Sequence, residues 1–235
     1  MEISSPMTSL SGPGAPAVPA RSRIYIVDDH TMFREGMRHL IEREPDLMVC
    51  GDSAGGEEAL RAIPVLQPDL VIMDLSLSGS PGLDLIKTLK NHHTCLPVLV
   101  VSMHEESLYA ERALHAGAVG YVMKQEPAST VKVAIRKVLG GDMHLSEKMT
   151  TALLGKAMRR GQAPPPVSPM EKLSDRELEV FRMLGQGKMT RQIAEELNLS
   201  IATINSFRNR IKEKLEFKTS AEMVLNAIQW SREGS

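Results

Sequence analysis

The sequence predicts a doubly wound α/β domain with a parallel five-stranded sheet, followed by a smaller all-α domain. Two observations support this fold class. Five short apolar runs alternate with segments of helical spacing over residues 24–139, which is typical of βαβ units. Beyond the proline-rich stretch RRGQAPPP at 159–166, strand signals stop and helix caps recur. The two halves therefore belong to different structural classes.

The apolar runs are nearly continuous, which favours strands that are buried on both faces of a sheet. They lie at 24–27, 47–50, 70–73, 96–101 and 120–123. A helix over about 127–139 closes the predicted domain, and one more helix is predicted over 146–159. In the second half, a capping box at Ser174 and Glu177 begins a helix that runs to about Gly185. Further helices are predicted after Thr190, from the cap Ser200 to about residue 215, and after a capping box that begins at residue 219.

These patterns divide the chain into four parts. Residues 1–22 are rich in Pro, Gly, Ser and Ala, and we expect a disordered tail. The α/β domain covers 23–142, a linker helix and a proline-rich linker cover 143–172, and the all-α domain covers 173–235.

The composition is that of a globular protein, with 42% hydrophobic and 24% charged residues among 235. The formal net charge of -1 gives no overall attraction to nucleic acid, so DNA binding would need a local basic surface. The two cysteines, Cys50 and Cys95, lack metal spacing and suit a reducing compartment. There is no signal-peptide pattern and no run of about 18 apolar residues, so we expect a cytoplasmic protein with no membrane partner.

Polar side chains follow the predicted strands. Asp28 and Asp29 end the first apolar run, Asp74 the third, Ser102 the fourth and Lys124 the fifth. In a doubly wound sheet, ligands bind beyond the carboxyl ends of the strands. Three converging carboxylates would repel one another, and Mg²⁺ is the hard cation that such oxygen ligands hold. With a lysine and a hydroxyl beside it, this edge suits phosphoryl transfer.

The motifs VDDH, VIMDLSLSGSPGLDLI, VLVVSMHEE and GAVGYVMK occur in this order. Together they resemble the receiver domain of bacterial two-component response regulators over residues 22–140. The resemblance implies that Asp74 is the phosphoacceptor, which attacks a phosphohistidine of a sensor histidine kinase and forms an acyl phosphate. It also implies that Asp28 or Asp29, together with Asp74 and the backbone carbonyl of Ser76, holds Mg²⁺.

The same resemblance assigns three further residues. Lys124 would pair with the phosphoryl oxygens, and Ser102 would donate a hydrogen bond to one of them. Tyr121 matches the aromatic switch position, where the ring is expected to turn inward when Ser102 moves.

Other residues near this edge leave alternatives open. The family usually has a Met-Pro pair where Leu77 and Ser78 stand, and losing the proline frees the loop after the metal-binding carbonyl. The sequence therefore indicates the acceptor residue, Asp74, more directly than it indicates the Mg²⁺ affinity or the lifetime of the phosphoryl group. We expect His30 and His104 to line the rim of the site rather than to act as bases.

The segment from Ser200 to Leu215 combines an apolar stripe with a polar face. Short hydrogen-bonding side chains and a charge occupy that face, as expected of a helix in a DNA major groove. A helix from Thr190 and a short turn precede it, which is the helix-turn-helix arrangement. A solvated amphipathic helix is the alternative.

From residue 173 the sequence LSDRELEVFRMLGQGKMTRQIAEELNLSIATINSFRNRIKEKL resembles the LuxR-type DNA-binding domain. Behind a receiver, it resembles the NarL/FixJ class of response regulator. The resemblance implies a double-stranded DNA partner and base-facing residues at Asn205, Ser206 and Asn209. The candidates for phosphate contacts are Lys188, Thr190, Arg191, Thr203 and Arg210.

Two residues of this segment carry open alternatives. Arg208 lies near the buried margin of its helix, so a bridge to Glu177 or Glu179 competes with a DNA contact. Glu216 replaces the glycine usual at the end of the recognition helix. It either adopts a strained left-handed conformation or lets the helix run longer.

The leading interpretation is a transcription factor, not an enzyme, in which phosphorylation shifts the receiver to a state that favours dimeric DNA binding. The last helix, with Val224, Ala227 and Ile228, would form the homodimer contact or complete the domain core. One alternative is a DNA-binding regulator with a phosphorylation-independent receiver that acts as a dimerisation module. Another is a Mg²⁺-dependent phosphohydrolase, which is disfavoured because Ser76 stands where a second carboxylate would act as general acid.

Overall fold

The computed structural model describes residues 21–77, 81–158 and 169–233. The strands are β1 (Ser22–Val27), β2 (Leu47–Ser53), β3 (Leu70–Met73), β4 (Val98–Ser102) and β5 (Gly120–Met123). They form a parallel sheet of order β2-β1-β3-β4-β5, which confirms the predicted fold class. The predicted disordered tail up to residue 20, the proline-rich linker and Ser78 lie outside the described residues.

Helices cover both faces of the sheet. They are α1 (Thr31–Glu42), α2 (Gly56–Leu66), α3 (Gly82–His92), α4 (Glu106–Ala116) and α5 (Ala128–Leu139). Side chains alternate along a strand, so Ile24 and Ile26 pack with α1 and α5 while Tyr25 and Val27 pack with α2, α3 and α4. The strand order reverses between β1 and β3. The carboxyl ends of these two strands therefore form the crevice at the switch point.

The bounds of β1, β2 and β4 differ from the sequence prediction, and β4 covers Val98–Ser102 instead of 96–101. β1 begins at Ser22, whose N–H donates to the carbonyl of Asp46, so the last residue of the predicted tail belongs to the sheet. β2 extends to Ser53 because its pairing with β1 continues beyond a register shift between Ile24 and Tyr25. Gly51 permits this, since a Cβ there would lie 2.8 Å from the Tyr25 ring.

The second half is helical in the described residues. Its helices are α6 (Glu147–Met158), α7 (Asp175–Gly185), α8 (Thr190–Glu196), α9 (Ile201–Lys214) and α10 (Ser220–Glu233), with a 3-10 turn at Pro169–Lys172. The predicted capping box at Ser174 and Glu177 is present in both directions. Gly185 lets α7 approach α10 closely, because a Cβ there would lie 2.4 Å from the Ala227 carbonyl oxygen. No described helix has the length and apolarity that crossing a membrane requires.

Glu216 adopts the left-handed conformation with φ of 60°. Its N–H donates to the Glu213 carbonyl at 3.2 Å, and the Phe217 N–H donates to the Lys212 carbonyl at 2.9 Å. These are the two hydrogen bonds of a Schellman motif, which closes α9 at Lys214. The first of the two alternatives for Glu216 is therefore the observed one.

Ion pairs join the two halves of the chain. The Arg112 guanidinium on α4 lies 2.8 Å from the Asp175 carboxylate, and Lys87 on α3 lies 3.1 Å from the same side chain. Arg112 also donates to the carbonyls of Met170 and Leu173, each at 2.9 Å. The start of α7 is thus held against α3 and α4.

Candidate functional sites

The carboxyl ends of β1, β3, β4 and β5 bring four of the predicted residues together. Asp28 and Asp74 are each 1% exposed. The Lys124 Nζ lies 2.6 Å from Asp28 Oδ2 and 2.7 Å from Asp74 Oδ2. The Ser102 hydroxyl donates to the other Asp74 oxygen, Oδ1, at 2.8 Å. Both oxygens of Asp74 therefore receive a donor that the sequence singled out.

This edge carries more negative than positive charge. Ligand atoms of Asp28, Asp29, His30 and Asp74 all lie within 4.8 Å of one another. Three carboxylates against the single ammonium group of Lys124 leave two negative charges in excess. The pKa of Asp28 is raised, chiefly by burial and further by the Asp74 charge, although hydrogen bonds from Lys124 and the His30 N–H act in the opposite direction. An additional cation would relieve this repulsion.

The backbone fixes the directions of these carboxylates. The Asp74 N–H donates to the Val27 carbonyl at 2.9 Å, which ties the end of β3 to the end of β1. The Ser76 N–H donates back to Asp74 Oδ1 at 3.2 Å. Gly82 closes the loop after β3, because a Cβ there would lie 2.4 Å from the Asp74 carbonyl oxygen. The site is thus preorganised by its own loop, with the buried Leu77 beneath it.

His104 is a buried partner of the site and not a rim residue, contrary to the sequence expectation. It is 5% exposed, and its Nδ1 lies 3.1 Å from Ser102 Oγ and 3.2 Å from Ser76 Oγ. Because Ser102 gives its only proton to Asp74, we infer that Nδ1 carries a proton and donates to the Ser102 oxygen. Burial and the nearby Arg182 charge lower the pKa of His104 to about 3, so the ring is neutral near pH 7. Its spacing of two residues after Ser102 is the only sequence signal for this role.

Tyr121 already points inward in this structure. It is 1% exposed, and its hydroxyl donates to the His104 carbonyl at 2.9 Å. The Ser102 hydroxyl is at the same time bonded to Asp74, so the inward position of the Tyr121 ring and the Ser102–Asp74 hydrogen bond occur together in this structure. The sequence did not identify Phe33, whose ring lies 4.3 Å from the Lys124 Nζ and supports this side chain from below.

The second site is the exposed face of α9. The Ser200 hydroxyl caps this helix by accepting the Thr203 N–H at 3.0 Å, and Ile204 and Ile211 are fully buried. The polar face predicted from the sequence is turned away from these apolar residues. Its members Asn205, Ser206, Asn209 and Arg210 are exposed, and Thr203 is half-buried. The side-chain amides of Asn205 and Asn209 make no hydrogen bond to any described residue.

The remaining predicted DNA contacts have partners within the chain. Lys188 pairs with Glu196, and Arg191 lies 3.0 Å from Glu195. Both ion pairs are largely solvent-exposed. Little free energy is therefore lost when Lys188 or Arg191 leaves its glutamate for another anion.

Arg208 makes neither of the bridges that the sequence suggested. It donates to the Thr190 hydroxyl instead. Glu177 is occupied by Lys214 at 2.6 Å, and Glu179 is occupied by Arg176 at 2.9 Å. Arg208 thereby ties α9 to the start of α8.

The structure decides between the two alternatives for Ala227 in α10, which were a homodimer contact and a place in the domain core. This residue is fully buried, and its carbonyl lies against Gly185 of α7, so it completes the core. Val224 and Ile228 are half-buried, and Leu225, which the sequence analysis did not name, is 67% exposed.

Comparisons with known proteins agree with this architecture. Residues 24–136 match the family described as response regulator receiver domain, and residues 171–227 match the bacterial regulatory proteins of the luxR family. The chain is 33% identical over 207 residues to the response regulator GacA of Pseudomonas viridiflava, covering 88% of this chain and 95% of that protein. It is 35% identical over 206 residues to the transcriptional activator protein ExaE of Pseudomonas putida, covering 88% and 95%.

A solved structure of RcsB from Salmonella enterica serovar Typhimurium, bound to promoter rprA in the presence of phosphomimetic BeF3-, is 25% identical with a TM-score of 0.62. The likeness covers 89% of this chain and 98% of that one. A doubly wound domain with an acidic edge, followed by a helix-turn-helix domain, defines a DNA-binding response regulator of a two-component system. The chain belongs to the NarL/FixJ class of these transcription regulators, with a receiver domain and a LuxR-type DNA-binding domain.

Proposed function

We propose that the protein is a cytoplasmic transcription factor controlled by phosphorylation of Asp74 by a sensor histidine kinase. The observation that carries the proposal is the environment of this carboxylate. It is buried at the end of β3, and Lys124 and Ser102 each donate to one of its oxygens. Such donors are what a phosphoryl group on Asp74 would need.

The chemistry follows from this geometry. A carboxylate oxygen of Asp74 attacks the phosphorus of the phosphohistidine, an O–P bond forms as the P–N bond breaks, and the product is an acyl phosphate. Lys124 and Ser102 then transfer their hydrogen bonds from the carboxylate to the phosphoryl oxygens. The ammonium group offsets the added charge.

The acidic edge also fits Mg²⁺. The donor set is hard oxygen, and the ligand atoms of Asp28, Asp29 and Asp74 lie within 4.8 Å of one another, close enough to share one ion. Asp28, Asp29 and Asp74, with the Ser76 carbonyl, would hold the ion, which supplies charge neutralisation for phosphoryl transfer.

Exposed side chains on α9 support DNA binding. Asn205, Ser206 and Asn209 would face the bases, and asparagine can pair bidentately with adenine. Lys188, Thr190, Arg191, Thr203 and Arg210 would contact phosphates, with Arg208 placed beside Thr190 for the same purpose. A solved structure of RcsB from Salmonella enterica serovar Typhimurium bound to a promoter supports DNA binding by a chain of this architecture.

The interface between the halves suggests how the signal travels. The α9 face is open in this arrangement, so docking does not hide the DNA-contacting residues. The end of α10, in contrast, faces the receiver, because Trp230 and Ser231 line a cavity together with receiver residues. We propose that phosphorylation shifts the population toward a released state in which α10 supports a homodimer on DNA.

The test is intact mass after incubation with a small phosphodonor, with and without Mg²⁺. A gain of one phosphoryl group that needs Mg²⁺ and is lost in Asp74→Asn supports the proposal. Asp84→Asn, an exposed carboxylate on α3, is the matched control and should gain the group normally. No gain in the folded wild type would favour the phosphorylation-independent receiver instead. Sedimentation velocity of the phosphorylated sample then tests dimerisation.

A further inference from the structure

A cavity of about 210 Å³ lies between the receiver and the DNA-binding domain. Its receiver wall includes His104 and Tyr109, and its opposite wall includes Arg182, Gln186 and Trp230. A site of this size has room for several waters or for one small ligand. It is separate from the acidic edge, although His104 borders both.

Two hydrogen-bond donors on residues that line this cavity have no acceptor among the described residues. The Tyr109 hydroxyl is buried without a hydrogen-bond partner on a side chain that is 4% exposed. The Arg182 Nε is also buried without a partner. Leaving a buried donor unsatisfied costs about 1–3 kcal/mol, so such groups in native proteins usually have a ligand or a water.

The charge of Arg182 distinguishes between these two occupants. This guanidinium makes no ion pair with any described residue, whereas the neighbouring arginine on α7, Arg176, pairs with Glu179 at 2.9 Å. Glu105 on the receiver side accepts from Ser107 and not from Arg182. Water would satisfy the donors but would leave the charge unneutralised.

We propose that this interdomain cavity binds one small oxyanion, a carboxylate or a phosphate, through Arg182 and the Tyr109 hydroxyl. Both groups are donors, and an oxyanion is the acceptor that also supplies the missing negative charge. Because one donor comes from each domain, the bound anion stabilises the docked arrangement. By linkage, it opposes the release of α10.

The only tryptophan of the chain, Trp230, lines the cavity and gives a local readout. Its fluorescence in the full-length protein is titrated with acetate and, separately, with inorganic phosphate, against chloride at constant ionic strength. Mg²⁺ and phosphodonors are left out, so the result does not depend on whether Asp74 can be phosphorylated. A saturable change with acetate identifies the carboxylate source, and one with phosphate identifies the phosphate source.

Two substitutions test the assigned contacts. Arg182→Gln should weaken binding by about tenfold or more, and Tyr109→Phe, which keeps the ring, by about threefold to tenfold. Arg176→Gln, on the same helix but outside the cavity, is the matched control and should leave binding unchanged. If Arg182→Gln fails to fold, Tyr109→Phe decides the outcome. The proposal is overturned if neither anion gives a saturable change beyond that of chloride, or if binding is as tight in the variants as in the wild type.

Discussion

The acidic pocket of the receiver and the exposed face of α9 differ in burial and in where their polar side chains find partners. In the pocket, Asp28, Asp74 and Lys124 are almost fully buried and are one another's partners. On α9, Asn205 and Asn209 are exposed, and their side-chain amides have no hydrogen-bond partner among the described residues. The buried side chains of the first site find hydrogen-bond partners within the chain, whereas under the proposed function those of the second find them on DNA. Substitutions in the pocket should therefore change stability together with function, and substitutions on α9 should change binding alone.

The largest effect is expected for Lys124→Met. This change keeps the aliphatic stem over Phe33 but leaves Asp28 and Asp74 as adjacent buried carboxylates. Removing one partner of a buried ion pair costs about 3–5 kcal/mol, and part of this should return when Mg²⁺ is added. Urea unfolding in EDTA and in Mg²⁺ measures both values.

Lys132→Met is the matched control for that change. Lys132 pairs with Glu44 at 3.1 Å but is 33% exposed, so the expected loss is at most about 1 kcal/mol. Equal losses for the two variants would contradict the idea that the receiver pocket depends on its internal lysine.

On α9, Asn209→Ala should weaken DNA binding without changing stability. Loss of a base contact costs about 1–3 kcal/mol of binding free energy, and no intrachain bond is removed. Fluorescence anisotropy on a fragment selected from random DNA measures the affinity, and thermal unfolding measures the stability. Asn226→Ala on α10 is the control, since its amide donates only to the Glu222 carbonyl. A lower melting temperature with unchanged DNA affinity would assign Asn209 to the fold instead.

The ion pairs of Asp175 with Arg112 and Lys87 are intermediate in burial between these two sites. They are partly exposed, and they join the two domains. Asp175→Asn should reduce the free energy of docking by about 1 kcal/mol, with a larger radius of gyration by X-ray scattering. Burial by itself would raise the pKa of Asp175, but hydrogen bonds from Arg112 and Lys87 outweigh it and hold this pKa below its ordinary value. Lys87 also contacts Asp84, which faces the same cluster.

The direction of this shift fixes the pH dependence. Since the folded pKa is depressed, the contribution of Asp175 is complete above the ordinary carboxyl pKa of about 4 and is lost as the pH falls below it. The difference between the wild type and Asp175→Asn should thus narrow below about pH 4. A difference that persists unchanged at lower pH would mean that the Asp175 charge does not hold the domains together.

Much of the receiver site could be predicted because parallel strands end at one edge of the sheet. This rule places Asp28, Asp74, Ser102 and Lys124 together once the strands are identified. Interactions that depend on how domains dock have no such local signal. Arg112 and Asp175 are separated by 63 positions, and nothing in either segment indicates the other. His104 was misplaced at the rim because the sequence does not show that α7 and α10 cover it.

The partly buried hydrogen bond from Arg208 to Thr190 was missed for a related reason. The helical pattern places Arg208 at a margin, but Glu177 and Glu179 are already occupied by partners that only the tertiary packing brings close. Periodicity therefore predicts which face a residue occupies better than which partner it finds there.

The smallest effect is expected at Glu216, at the end of α9. A substitution there should change the stability of the protein but not its DNA affinity, although the residue follows the same helix that carries the predicted DNA contacts. Glu216 is held at a φ of 60°, where a non-glycine residue costs about 1–2 kcal/mol. Glycine would remove that cost but lose about 0.5–1 kcal/mol through its greater freedom in the unfolded chain. Glu216→Gly should thus stabilise the protein by about 0.5 kcal/mol, with unchanged DNA affinity.

Asn198 provides the control, because it holds the same position after α8 with a φ of 52°. Asparagine tolerates the left-handed conformation, so Asn198→Gly relieves little strain and should be neutral or slightly destabilising. Denaturant unfolding of both variants compares the two caps directly. Stabilisation of similar size at both positions would mean that the left-handed conformation costs glutamate no more than it costs asparagine, which contradicts the expected difference between the two caps.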